Sequence, residues 1–124
     1  MNPIYDVVIL GCGEAGIFAA YELASHRPEL KVLALDQGRD IYHRSCPIVA
    51  GKVRECIHCP VCDTMCGFGG AGAFSDGKFN FTTQFGGWLT DFMEPRQVME
   101  LIDYVDSINV AHGATEQVLS LIHI

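Results

Sequence analysis

Hydrophobic positions fall in three patterned blocks, divided by a long stretch that keeps no period. Tyr5 to Leu10 (YDVVIL) is an apolar, β-branched run, which predicts a strand buried on both faces of a parallel sheet. Ala15 to His26 follows at helical spacing, with Ala15, Ala19 and Leu23 on one face, Phe18 beside them, and Pro28 preventing much continuation. Lys31 to Leu35 (KVLAL) predicts a second buried strand that ends at Asp36. Strand, helix and strand over residues 4–36 make one βαβ unit, whose crossover is expected to be right-handed. Periodicity then disappears over residues 37–94, which hold five of the six cysteines and most of the glycines. A structureless connection of that length is usually functional or disordered. Pro95 opens an amphipathic helix over 95–112. Val98, Leu101, Ile102, Val105 and Ile108 trace its apolar stripe, with Glu100, Asp103 and Asp106 towards solvent and Gly113 as the stop. The tail over 113–124 begins like a linker and ends in a short apolar run.

The junction between first strand and first helix carries the clearest chemistry. GCGEAG, Gly11 to Gly16, matches G-x-G-x-x-G in the context its mechanism requires. Gly11 allows the tight turn, Gly13 removes a side chain that would block a pyrophosphate, and Gly16 lets helix and strand pack closely. The helix N-terminus then offers unpaired N–H groups and a partial positive charge to phosphates. Asp36, about twenty residues on at the end of the second strand, is placed to accept hydrogen bonds from ribose hydroxyls and to repel a 2′-phosphate. These residues predict an adenine-dinucleotide site. The turn serves FAD and NAD alike. A second glycine-rich stretch, GFGGAGAFSDGKFNF, favours FAD, because Gly67, Gly69, Gly70, Gly72 and Gly77 would let backbone pass close to a large flat ligand.

Bulk properties narrow the class without naming a substrate. The 124 residues fit one modest domain, and 49% hydrophobic content argues against disorder. A net charge of −7 opposes binding to nucleic acid or an anionic membrane surface. With no apolar run long enough for a bilayer and no basic n-region, the expected location is cytoplasmic. In that compartment the cysteines point to a metal, a redox dithiol or packing rather than to disulfides.

Four of them, Cys56, Cys59, Cys62 and Cys66, are spaced C-x2-C-x2-C-x3-C, as in bacterial ferredoxins. Gly67 stands where ferredoxins have proline, and Cys46-Pro47 offers a remote fourth ligand upstream. The spacing leaves four readings open: a [4Fe–4S] cluster, zinc, a dithiol such as Cys59/Cys62, or reduced loop cysteines. Cys12 reads as a small residue in a tight turn, and His43 and His58 as loop histidines rather than ligands.

Taken together, DVVILGCGEAGIFAAYELA, LDQGRD, SCPI, the C-x-x-C-x-x-C run, CGFGGAGAFSDGK and FGGWLTD resemble the uncharacterised FAD-dependent dehydrogenases within the FAD/NAD(P)-binding oxidoreductase superfamily. The resemblance covers residues 4–118, and GGAGAFSDGK is its most specific part. It implies an α/β fold: a partial Rossmann-like (βαβ) FAD-binding domain with a long Cys/Gly-rich insertion and a following amphipathic helix. It implies that Gly11, Gly13 and Gly16 take the FAD pyrophosphate and that Asp36, where the family usually has glutamate, holds the ribose. Arg39 would lie near the adenosine, with Gly69, Gly70, Gly72, Ser75 and Lys78 lining the flavin or its phosphates. Glu14 replaces the family's proline or alanine and is expected to point away from the glycine backbones. NAD(P)H is the implied electron donor and a small molecule the implied redox substrate.

Family members are several hundred residues long, and the last residues here do not resemble them. The expectation is therefore a truncated reading frame with a non-native tail, lacking the C-terminal part of its own fold and binding FAD weakly or not at all. Two other readings stay open: a simple NAD-binding module, and a non-enzymatic iron–sulfur or zinc electron-relay protein. No catalytic acid or base is assigned.

Overall fold

The computed structural model describes residues 4–75, 77–84 and 86–116. The chain divides into two compact units, Met1–Asp76 and Gly77–Ile124.

The first unit is built on a strand, a helix and a strand: β1 (Val7–Leu10), α1 (Glu14–His26) and β2 (Val32–Leu35). The strands pair in parallel, Val7 opposite Val32 through to Leu10 opposite Leu35. The ladder continues one step, since Gly11 N–H donates to the Leu35 carbonyl at 2.7 Å. That register sets the residues following the two strands, Gly11-Cys12 and Asp36, side by side. α1 packs against both strands, and its approach is so close that a Cβ on Gly16 would lie 1.9 Å from the Gly11 carbonyl oxygen and 3.3 Å from Ile9 Cγ2. Only glycine fits there.

Burial on both sheet faces, expected from the apolar runs, is not what the strands show. Val7 and Ile9 are half-buried, whereas Val8 is 52% exposed and Leu10 82% exposed. One layer of helix covers one face of the pair, and an apolar row remains open on the other. Such a row is the pattern of strands made for a two-sided α/β sandwich.

The long segment after β2 contains a short 3₁₀ helix, Gly70–Phe74, and otherwise turns and irregular backbone. In the second unit, a 3₁₀ turn at Leu89–Asp91 precedes α2 (Pro95–Ala111). α2 begins with proline in its first turn, and Gln97 Oε1 accepts a hydrogen bond from Glu94 N–H at 3.1 Å. Its end is marked by Gly113 in the left-handed region at φ 103°. Val98 is buried, and Leu101 and Val105 line a hollow of about 260 Å³ with Phe79, Phe81 and Leu89. The non-native character expected of the tail falls, beyond residue 116, outside the described residues. Among the described residues no helix is long and apolar enough to cross a membrane.

Candidate functional site

In the first unit the buried residues Cys12, Arg44 and Gly67 gather around one acid. Asp36 follows β2 directly, and the register brings it against the glycine turn. Its Oδ2 accepts the Cys12 N–H at 2.8 Å, and its Oδ1 accepts Gly38 N–H at 2.8 Å and Gly67 N–H at 2.7 Å. A carboxylate offers roughly four acceptor positions, so three of them are taken by amides of its own chain. These bonds favour the charged form. The Cys12 amide foremost, then those of Gly38 and Gly67, with the positive Arg44 adding to them, hold the Asp36 carboxyl below its usual range against the opposing effect of burial. Beside it, Leu10, Gly11, Leu35, Asp36 and Gln37 outline an open hollow of about 450 Å³ at the C-terminal ends of both strands. In open α/β sheets ligands bind in that position.

The three turn glycines are required for different reasons. Gly11 has φ 101°, a conformation side chains resist, and Gly16 is excluded from bearing a side chain by the packing of α1. Gly13 meets neither restriction. It caps α1 with φ −72°, and a Cβ there would be 3.9 Å from Gly70 Cα, an ordinary contact. The fold would accept a larger residue at position 13.

The second glycine stretch docks on the first. Gly69 N–H donates to the Cys12 carbonyl at 2.8 Å, and a Cβ on Gly70 would come within 3.0 Å of Gly13 Cα. Gly11, Gly13, Gly16, Asp36, Gly69, Gly70 and Gly72 thus form one neighbourhood. Glu14 belongs to it as well. Its Oε1 would lie 2.7 Å from a Cβ on Gly72, so the acid expected to point away from the glycine backbones lies against one of them, held in the first turn of α1 where the helix dipole favours a negative charge. Arg39 contributes backbone, its carbonyl accepting Phe68 N–H at 3.2 Å, while its Nη1 stands 3.5 Å from the His43 carbonyl. Ser75 N–H donates to the Gly72 carbonyl at 3.1 Å, and Lys78 belongs to the second unit.

Arg44 is the residue that sequence reasoning missed. It is buried, and its guanidinium donates to the carbonyls of Asp63 (2.8 Å), Phe68 (2.9 Å) and Thr64 (3.0 Å) while lying 4.7 Å from the Phe74 ring centroid. It ties the cysteine loop to the glycine stretch. Its one signal in the sequence, an arginine next to Ser45 and Cys46 in a loop without period, is too faint to read.

The five cysteines that follow β2 divide into two groups. Cys46, Cys56, Cys59 and Cys62 line a hollow of about 230 Å³ with Pro47, Ile48, Val53, Ile57, His58 and Asp63. Cys66 is not among them; its Sγ accepts a hydrogen bond from Gln37 Nε2 at 3.1 Å. All six cysteines are free thiols. Among the described residues, no three His, Cys, Asp or Glu side chains converge tightly enough to hold a metal ion. The Cys46 thiol is pulled below its usual value, mainly by the Val49 amide and then by the Thr64 hydroxyl and the Ile48 amide.

With this geometry in place, comparison with known proteins finds enzymes. A stretch of 37 residues, 30% of this chain, is 51% identical to 12% of a thiamine thiazole synthase from Coprinopsis cinerea. A stretch of 33 residues, 27% of the chain, is 54% identical to 10% of a thiamine thiazole synthase from Phaeosphaeria nodorum. The matches thus span about a tenth of the length of those relatives. No family model and no solved structure matches the chain significantly. The chain is an α/β protein, with one parallel strand pair and two α-helices among the described residues, and is similar over a third of its length or less to enzymes.

Proposed function

We propose that the first unit is the dinucleotide-gripping part of an FAD-dependent oxidoreductase. One observation carries this reading: Gly13 is a glycine that the fold does not need, set at the mouth of a helix where the backbone of a nucleotide-binding turn must stay bare. The hollow at the strand ends and the short matches to enzymes point the same way.

In this reading the amides at the mouth of α1, from Gly13 to Gly16, would hold the pyrophosphate, with Gly11 making the bend that leads into them and Gly69, Gly70 and Gly72 beside them. The fourth acceptor position of Asp36 would take a ribose hydroxyl, and Arg39 and Ser75 would serve the rest of the cofactor. The isoalloxazine supplies hydride or single-electron chemistry when bound. The chain supplies grip and orientation. Asp36 does this in two ways, fixing the turn through Cys12 and the second glycine stretch through Gly67. NAD(P)H as electron donor and a small-molecule substrate complete the proposal.

The test is an NMR titration of the isotope-labelled chain with FAD, NAD and ADP, alongside Gly13→Ser. FAD should shift the amides of residues 11–16 with weak, saturable affinity. Gly13→Ser should lose that response while keeping its thermal midpoint, because serine is a good helix N-cap. Unmoved amides at millimolar FAD, or an equal response from Gly13→Ser, would sink the reading. A response to NAD and ADP in which the flavin protons of FAD stay unperturbed would make this a plain NAD-binding unit.

A further inference from the structure

We propose that Cys46, Cys56, Cys59 and Cys62 form a binding site for a [4Fe–4S] cluster, with Cys66 outside the ligand set. This stands apart from the dinucleotide reading and does not depend on it.

Sequence spacing alone makes Cys56, Cys59, Cys62 and Cys66 the natural quartet. The fold selects a different one. In two-cluster ferredoxins each cubane takes three closely spaced cysteines and a remote one that is followed by proline. Here three close thiols, Cys56, Cys59 and Cys62, share a hollow with the remote Cys46-Pro47. Cys66, the nearer candidate in sequence, is turned out of that hollow to Gln37. His58 supports the arrangement. It has φ 51°, the one non-glycine residue of the described chain in the left-handed region, and it bends the backbone between Cys56 and Cys59, both of which face the hollow.

A cluster and a single ion ask different things of four thiols. Zinc–sulfur bonds of about 2.3 Å would hold four tetrahedral sulfurs within about 3.8 Å of one another. The thiols do not converge on a point that an ion could occupy; they surround a hollow of about 230 Å³. A cubane suits a shared hollow better than a single point, because each thiolate binds a different iron at a different corner. Ile48, Val53 and Ile57 make part of the lining apolar, one of the influences on a cluster's potential.

The cluster can be delivered anaerobically from a synthetic [4Fe–4S] complex capped by small thiols. Each cysteine thiol forms an iron–sulfur bond, one capping thiolate leaves, and the cysteine proton goes to the departing thiol, with no change in oxidation state. The full chain should take up one cluster, about four iron and four sulfide, and turn brown with an absorbance that dithionite bleaches. Alkylation of the loaded chain followed by mass spectrometry should find Cys46, Cys56, Cys59 and Cys62 protected and Cys66 labelled. Cys46→Ser should lose most of the cluster, and Cys66→Ser should retain it. Protection of Cys66 with Cys46 labelled, or uptake of one zinc ion with no cluster transfer, overturns the proposal. The protection pattern in the unmutated chain stands even if Cys46→Ser does not fold.

Discussion

The surroundings of Asp36 and the cysteine hollow lie in one unit and are made in opposite ways. At Asp36 two oxygens receive three amides of the same chain, from Cys12, Gly38 and Gly67, between 2.7 and 2.8 Å. At the hollow four thiols from two parts of a loop face a common space, with no three close enough to hold an ion. An acid with three of its roughly four acceptor positions filled by its own chain acts first as scaffold. The thiols at the hollow share a space without bonding one another, which leaves them open to a ligand as the amide-bound acid is not. Arg44 links the two, donating to carbonyls on either side of Cys66 and holding the glycine stretch by Phe68.

The sharpest way to break the comparison is to discharge Asp36. An asparagine at that position would keep one acceptor oxygen and present its own amide group to N–H donors. Asp36→Asn should therefore destabilise the chain by about 3 kcal/mol, the size expected when charge-assisted bonds are lost and donors are left buried. Urea denaturation of the two proteins measures it, and a loss below about 1 kcal/mol would make Asp36 a bystander. Acid should do the same reversibly. Because the folded carboxyl titrates below the ordinary 3.8, its contribution is complete above that pH and is lost as pH falls through the folded value. Asp36→Asn should flatten this acid limb of the stability curve.

Next in size is the contrast between two glycines three residues apart. Gly16→Ala drives a Cβ into the Gly11 carbonyl, with only 1.9 Å available, and should lower stability by about 2 kcal/mol or more. Gly13→Ser should leave stability unchanged or raise it by about 0.5 kcal/mol through a new N-cap. Calorimetry of both variants decides the matter. If Gly13→Ser were as damaging as Gly16→Ala, position 13 would be structural, and its bareness would no longer argue for a ligand.

Legibility in the sequence follows the same division. The strands are legible as short apolar runs and the helices as apolar positions at helical spacing, and Asp36 is legible because a strand end and a glycine turn frame it. Its partners were not readable. Gly67 is thirty-one residues away along the chain, across a loop whose hydrophobicity carries no period. So the acid read as a ribose acceptor also proves to be the clasp that holds the turn. Arg44 was invisible for the same reason: a buried cation satisfied by carbonyls requires no particular partner side chain. The exposure of Val8 and Leu10 was also unreadable, since an apolar run states that a strand can be covered on both faces, and not what covers it.

The smallest expected effect tests the other side of the comparison. Cys56 and Cys59 are exposed thiols, and replacing either by serine exchanges one small polar group for another at the surface. Without a cluster, Cys56→Ser and Cys59→Ser should each change stability by less than about 0.5 kcal/mol, far below Asp36→Asn. Loading the unmutated chain with a cluster should raise its thermal midpoint, since a ligand that binds only the folded state stabilises it by mass action. The serine variants should lose most of that rise while matching the unmutated chain when empty. A large loss in the empty variants would mean that these thiols already support the loop, as the amides around Asp36 do. The contrast between an amide-bound acid and a cysteine-lined hollow would then disappear.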